Sequence, residues 1–271
     1  MRTPPLIRTP QQMREKMKLL EVLDEIEVAV KALNQESSIQ NPVDRSYEQL
    51  ECNLKLIDPS DKIFNLIQQY LVKNHAMTHS NYKLKLLEVY EAEKKGEREK
   101  FKDVGNRMLL WHGSRLTNWA GILSQGLRIA PPEAPVTGYM FGKGCYFSDC
   151  SSKSANYCYT NSIKNVGLLS LSEVSLGECN ELKQADNNAD KLPKGKMSVK
   201  GVGKSEPNES EWVKLEDGCV MPIGELKQKL DAKNAHEYAL LYNEYIVYNV
   251  DQIRLRYLVK VKFDYDDEEE D

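Results

Sequence analysis

The sequence has 271 residues, of which 41% are hydrophobic and 29% are charged, a composition typical of a soluble globular protein with one large or two small domains. It contains no run of about 18 apolar residues, and the first ten residues, MRTPPLIRTP, lack an apolar signal-peptide core, so we expect an intracellular protein with no membrane partner. The formal net charge is −4, but seven acidic residues lie in the last eight, DYDDEEED, so the rest of the chain is weakly basic and does not indicate nucleic-acid binding.

The first 95 residues are predicted to be mainly helical or extended, because no glycine occurs before Gly96. Thr9, Pro10 and Gln12 have the types expected at a helix N-terminus, and apolar residues recur three or four apart up to Leu33, which predicts a helix over 9–33. The polar run NQESSIQNPVD, residues 34–44, predicts a linker and a domain boundary. A second helix is expected around 60–72.

The later chain is predicted to form strands. Apolar and basic residues alternate over 253–263, the pattern of a strand with one buried face, and strands are also expected at 83–90, 167–174 and 242–248. Short helices are predicted at 117–125, ended by Gly126, and at 151–159. Few helices separate the later strands, which favours an α+β protein with mixed or antiparallel sheets over a doubly wound parallel sheet.

The cysteines and the common catalytic motifs exclude several kinds of site. Six cysteines occur at irregular spacings without a CxxC pair, so neither a zinc site nor a disulfide framework is predicted. The sequence contains no GxxxxGK[ST], no complete GxGxxG, no HExxH and no GxSxG, so P-loop, Rossmann, zinc-protease and serine-triad chemistry have little support.

Glycines, aromatic residues and polar residues are concentrated in three segments: LLWHGSR at 109–115, GYMFGKGCYFSD at 138–149 and SKSANY at 152–157. Glycines let a backbone approach a flat ligand closely, and tyrosines offer stacking faces. Glu244 is a lone carboxylate on a mostly apolar strand. Taken singly, each of these residues is more often structural: a solvent-facing glutamate, a core tyrosine or a turn glycine.

Together, these segments resemble the catalytic domain of the poly(ADP-ribose) polymerases, particularly the DNA-dependent nuclear members. The resemblance spans about 41–263 and is carried by HGS at 112–114, GLRIAPPEAPVTGYMFGKG at 126–144, SKSANY, and LYNEYIVY at 241–248. The His, Tyr and Glu triad of that family corresponds to His112, Tyr146 and Glu244. The resemblance implies the ADP-ribosyltransferase fold, with two packed antiparallel sheets around an NAD cleft, preceded by a short helical segment.

The resemblance also implies that NAD is a substrate, with no true cofactor and no metal. ADP-ribose would pass to protein acceptors, including the chain itself, and to growing poly(ADP-ribose). The backbone of Gly113 and the hydroxyl of Ser154 would hold the nicotinamide carboxamide, and Tyr146 and Tyr157 would sandwich its ring. Glu244 would be the catalytic residue, bonded to the nicotinamide ribose and the incoming hydroxyl.

For the adenosine portion of NAD, the resemblance implies contacts with His112 and Ser114, with Gly121 and Arg128 beside them. Two alternatives to polymer formation stay open: a silent module that binds NAD or ADP-ribose, and an enzyme that transfers a single ADP-ribose or hydrolyses NAD. The intact triad favours the enzyme.

The resemblance further divides the chain into a remnant of a helical regulatory subdomain at 1–37, the catalytic domain at 41–263 and an acidic tail at 264–271. With most of the regulatory subdomain and any DNA-binding module missing from this sequence, we expect activity with little dependence on DNA. A nuclear location is implied by resemblance alone. The sequence differs from the residue pattern of the family at Cys145 and Ser148, over 205–240, and in the acidic tail.

Overall fold

The structure is a computed structural model that describes residues 41–131, 139–229 and 234–266, and before them only positions 9, 11–13, 16, 20 and 23. Most of the predicted helix at 9–33 lies outside the described residues, as do 34–40 of the linker and 267–271 of the acidic tail. At the helix start, the hydroxyl of Thr9 accepts a hydrogen bond from the backbone N–H of Gln12 at 3.2 Å, as its capping position predicts.

The described helices, in chain order, are α1 (Pro42–Gln49), α2 (Lys62–Lys73), α3 (Glu97–Lys100), α4 (Trp119–Gln125) and α5 (Ser151–Ala155). The end of the predicted linker is therefore helical, because Asn41 caps α1 by accepting from the N–H of Val43, and Pro42 occupies the first turn. Helix α2 confirms the prediction at 60–72, and Asp61 caps it. No helix in the described parts of the chain is long and apolar enough to cross a bilayer.

The two short helices predicted later in the chain are confirmed, each in combination with a 3₁₀ turn. Leu116–Asn118 is a 3₁₀ turn that leads into α4, which ends at Gly126 with a φ of 78°. Asn156–Cys158 is a 3₁₀ turn that continues α5.

The described residues form fourteen strands, here in chain order: β1 (Cys52–Leu56), β2 (Tyr82–Lys94), β3 (Arg107–Gly113), β4 (Cys145–Phe147), β5 (Val166–Ser175), β6 (Cys179–Leu182), β7 (Ser198–Gly201), β8 (Gly203–Pro207), β9 (Val213–Lys214), β10 (Val220–Met221), β11 (Leu226–Gln228), β12 (Leu240–Tyr242), β13 (Glu244–Val247) and β14 (Ile253–Tyr265). Seven of them make one sheet in the order β1-β2-β14-β5-β3-β10-β9. Apart from the parallel β10–β3 contact, its pairs are antiparallel.

Strand β14 lies inside the large sheet and shows why its alternation of apolar and basic residues could be recognised in the sequence. Its alternate residues from Ile253 to Phe263 are buried, while Arg254, Arg256 and Lys260 are partly exposed. The strand extends to Tyr265, so the first two residues of the predicted acidic tail belong to the sheet. Helix α2 packs Ile67, Tyr70 and Leu71 into the same core.

The other strands form a four-stranded sheet, β4-β13-β7-β6, and a three-stranded sheet, β11-β8-β12. The chain passes between the four-stranded and the three-stranded sheet at Val202, between β7 and β8, and at Asn243, between β12 and β13. The second sheet of the expected fold is therefore divided into two at these residues. The cause is Asn243, whose side-chain oxygen accepts the backbone N–H of Gly203 at 2.9 Å and so interrupts the strand predicted at 242–248. The pairs β6–β7 and β8–β12 are parallel. The α+β class is confirmed.

The large sheet carries a buried acid with three arginine partners. Glu173 of β5 is fully buried, and its carboxylate contacts Arg107 of β3 at 2.6 Å and Arg256 of β14 at 2.8 Å. Arg254 lies 3.6 Å away. Because a buried charge is stable only when it is paired, this cluster joins three neighbouring strands, among them the strand that ends in the site.

We predict that Glu173→Gln lowers the free energy of unfolding by about 3–5 kcal/mol, because three arginines lose the buried carboxylate that they share. Chemical denaturation followed by circular dichroism measures the change. The matched control is Glu88→Gln, which removes a half-exposed pair with Lys260 across β2 and β14 and should cost less than about 1 kcal/mol. Equal losses in the two variants would contradict this account of the cluster.

Candidate active site

A cavity of about 320 Å³ lies where β3 ends, between β4, α5 and the start of β13. Its volume is at the lower end of the range for ligand pockets. Seven of the nine candidate residues line it: His112, Gly113, Arg128, Tyr146, Ser154, Tyr157 and Glu244. Segments as far apart in the sequence as those of His112 and Glu244 therefore meet in one cleft.

The glycines of the motifs are needed for close packing. A Cβ atom on Gly113 would lie 1.9 Å from the carbonyl oxygen of Ser154, so only glycine lets the end of β3 contact α5. A Cβ on Gly144 would lie 2.5 Å from the side chain of Ile246 in β13. Both walls of the cleft thus require glycine at these positions.

Ser154 and Gly113 form a polar edge at the inner end of the cleft. The hydroxyl of Ser154 donates to the carbonyl of Trp111 at 3.0 Å, which leaves the oxygen itself free to accept. A hydroxyl acceptor beside the backbone of Gly113, both of which line the cavity, suits a small planar amide, which needs both an acceptor and a donor.

Two tyrosines that line the cleft differ in how they are held. The hydroxyl of Tyr146 donates to the carbonyl of Gly142 at 2.7 Å and accepts from the N–H of Phe141 at 3.0 Å, so the ring is fixed. Burial, with Glu244 nearby, raises the pKa of Tyr146, which stays neutral. Tyr157, on the 3₁₀ turn after α5, is 54% exposed. Each ring presents a face on which a flat ligand can stack.

Glu244 is the first residue of β13, and its carboxylate lies 3.0 Å from the ammonium of Lys153. Both side chains are largely buried. Lys153 also donates to the carbonyls of Tyr242 and Asn243, at 2.8 and 3.4 Å, so it holds both the carboxylate and the chain that leads to it. This arrangement keeps a negative charge at the cleft wall, where it can stabilise a developing cation.

The role of Lys153 was missed by the sequence prediction, although the residue lies inside the SKSANY motif. Its partners are about ninety positions away, and nothing in a single sequence indicates such a contact. The adjacent Ser154 was found because its motif was recognised.

His112 presents a defined tautomer to the cleft. Its Nδ1 lies 2.9 Å from the carbonyl of Tyr146, and because a carbonyl only accepts, Nδ1 carries the proton. Burial lowers the pKa of His112, so the ring is neutral and Nε2 is an acceptor. An Nε2 acceptor suits a ligand hydroxyl.

Two candidate residues do not line this cavity, as far as the described residues define it. The hydroxyl of Ser114 accepts from the side-chain amide of Asn118 at 2.9 Å, and Gly121 lies within α4, where its carbonyl accepts from Ser124. Both lie just beyond the end of β3 that carries His112. Their proposed contacts with the adenosine portion stay predictions.

The two departures from the family pattern have definite places. Cys145 is buried in β4. Ser148 has a contact that sequence comparison does not predict, since its hydroxyl donates to the carbonyl of Asn243 at 3.1 Å, just before Glu244.

All six cysteines are free thiols. The described parts of the chain contain no group of three or more His, Cys, Asp or Glu side chains placed to hold a metal ion.

Comparison with known proteins gives two family matches. Residues 61–263 match the family model of the poly(ADP-ribose) polymerase catalytic domain, and residues 1–47 match that of the poly(ADP-ribose) polymerase regulatory domain. The chain is 54% identical to poly [ADP-ribose] polymerase 2 of Homo sapiens over 98% of its length and 46% of that relative. It is 52% identical to poly [ADP-ribose] polymerase 2 of Arabidopsis thaliana, over 96% of the chain and 41% of the relative.

A relative of a second kind, poly [ADP-ribose] polymerase 1 of Danio rerio, is 49% identical over 98% of the chain and 26% of its own length. The chain thus spans less than half the length of these curated relatives. Because the catalytic-domain match covers most of the chain, the family is established: this protein belongs to the poly(ADP-ribose) polymerases.

Proposed function

We propose that this chain is an NAD-dependent protein ADP-ribosyltransferase that cleaves the nicotinamide glycosidic bond. It transfers ADP-ribose to protein acceptors, including itself, and to growing poly(ADP-ribose) chains. The observation that carries the proposal is the Glu244 carboxylate, held by Lys153 at 3.0 Å in a cleft walled by two tyrosine rings.

The inner end of the cleft suits nicotinamide. Its carboxamide NH₂ donates to the hydroxyl oxygen of Ser154 and its carbonyl oxygen accepts from the backbone of Gly113. The ring stacks between Tyr146 and Tyr157, both of which line the same cavity. These contacts place the glycosidic bond towards Glu244.

Cleavage separates charge at the ribose. As the bond from the anomeric carbon to the nicotinamide nitrogen breaks, its electron pair leaves with the nitrogen and the ribose gains oxocarbenium character. The carboxylate of Glu244 stabilises that cation. An acceptor hydroxyl then bonds to the anomeric carbon, and Glu244 accepts its proton, a form of general-base assistance worth about 10²–10⁴-fold.

At the other end, the neutral Nε2 of His112 accepts from a ribose hydroxyl of the adenosine portion, and Arg128 lines the cleft beside it. Ser114 and Gly121 extend this side. NAD is consumed as a substrate in this scheme, which needs neither a metal nor a further cofactor. A nuclear location stays a prediction from resemblance.

The experiment that tests the function is incubation of the purified chain with NAD labelled in the adenylate, read as label on protein and as nicotinamide released. We expect a high-mass smear from the wild-type chain. With Glu244→Gln we expect a fall of at least about 10²-fold in both readouts, because the cation loses its counter-charge.

Other outcomes identify the alternatives. A single discrete labelled band means transfer of one ADP-ribose, and nicotinamide release without label means hydrolysis. NAD binding by calorimetry with silence in both readouts means a binding module and contradicts the proposal.

We predict that Lys153→Met lowers kcat about 10- to 100-fold, because Glu244 loses a charged hydrogen bond of a kind usually worth about 1.5–3 kcal/mol. Methionine keeps the aliphatic stem, so packing changes little. The matched control is Lys260→Met, which removes a lysine paired with Glu88 on the large sheet and should leave kcat unchanged. Equal rates for the two variants would show that the Lys153 contact has no part in catalysis.

A further inference from the structure

Asp149, two residues after β4, is a fully buried acid that has no role in the chemistry proposed above. Its Oδ2 accepts two hydrogen bonds, from the side-chain amide of Asn243 at 2.8 Å and from the hydroxyl of Tyr245 at 3.0 Å. These donors are the residues immediately before and after Glu244. One carboxylate oxygen thus holds the chain on both sides of the proposed catalytic residue.

The residue before Glu244 is held from several other directions. The side-chain oxygen of Asn243 accepts the N–H of Gly203 at 2.9 Å. Its carbonyl accepts from the hydroxyl of Ser148 at 3.1 Å and from Lys153 at 3.4 Å. The Asp149 contact is the one that orients the Asn243 amide, because it takes the NH₂ and so directs the oxygen towards Gly203.

The residue after Glu244 anchors the strand on its other face. Successive side chains of a strand point to opposite faces, so Tyr245 points away from the cleft that Glu244 lines. Its ring is buried, and its hydroxyl reaches Asp149. Rotation of the strand about its axis, which would swing the Glu244 carboxylate, would break this bond.

The second oxygen of Asp149 lies in an environment that is unfavourable for the stability of the fold. Its Oδ1 is buried and has no hydrogen-bond partner among the described residues. Burial also raises the pKa of Asp149, which means that the site disfavours its charge. An unsatisfied buried oxygen is unfavourable for stability, so its presence calls for another explanation.

We propose that Asp149 is a positioning residue, which sets the direction of the Glu244 carboxylate by holding Asn243 and Tyr245 on either side of it. The inference rests on the proposed function, because it assigns Asp149 a role in the reaction of Glu244. Asp149 contacts neither substrate nor reacting atoms in this account.

The test compares Asp149→Ala with Asp149→Asn by nicotinamide release at varied NAD concentration. Alanine removes the acceptor, and we expect kcat to fall about 10- to 100-fold through misplacement of Glu244, with KM for NAD changed by less than about threefold. Asparagine keeps one oxygen for the two donors and places its NH₂ where Oδ1 has no partner, so it should restore most of kcat.

A double-mutant cycle separates positioning from a general loss of stability. If Asp149 acts through Glu244, then Glu244→Gln lowers kcat much less in the Asp149→Ala background than in the wild-type chain. Independent, multiplicative effects overturn the proposal. The matched control is Gln252→Ala, which also removes two buried hydrogen bonds, to the carbonyls of Ser175 and Met197, but lies outside the cleft and should leave kcat unchanged.

A milder variant decides the question if Asp149→Ala does not fold. Tyr245→Phe removes only the hydroxyl, and we expect kcat to fall severalfold with KM retained. Wild-type kcat in a folded Tyr245→Phe and a folded Asp149→Asn, together with an unfolded Asp149→Ala, would assign Asp149 to stability and overturn the inference. A wild-type chain that releases no nicotinamide would instead contradict the proposed function, and the inference would fail with it.

Discussion

Two backbone hydrogen bonds between Trp111 and Ser148, at 2.9 and 3.0 Å, join the large sheet to the small ones, and the candidate site depends on this contact. His112 and Gly113 follow Trp111 directly, and Tyr146 lies two residues before Ser148. The carbonyl of Trp111 also receives the hydroxyl of Ser154. The cleft therefore lies where two sheets are joined at one residue pair, and site residues lie on both sides of that pair.

Three of the seven strands of the large sheet, β2, β5 and β14, could be predicted from sequence. Strand β14 shows its period most directly, because it has one buried face from Ile253 onwards. The cleft residues were found through recognised motifs and not through periodicity. What stayed hidden are contacts between distant segments: the ammonium of Lys153 on Glu244, and the insertion of the Asn243 side chain into the sheet. Local propensity says nothing about either, since each depends on how the sheets meet.

Glu173 and Asp149, which are the fully buried acids among the described residues, illustrate opposite solutions to the same electrostatic problem. Glu173 is surrounded by three arginines, and its charge is neutralised inside the sheet. Asp149 has neutral donors on one oxygen and none on the other in the described structure. The first arrangement suits a permanent joint between strands. The second holds the two residues that flank Glu244, and such an arrangement is typical of sites where geometry counts for more than stability.

The close approach of Gly113 to Ser154 also limits how this cleft can change under selection. A methyl group at position 113 would lie 1.9 Å from the Ser154 carbonyl, so no side chain there can narrow the inner end while the helix stays in place. Substitution of Gly113 would therefore have to move the end of β3 away from α5, and the shape of the cleft would change with it. Tyr157 is half exposed, so a change of side chain there alters the cleft while it disturbs less of the fold.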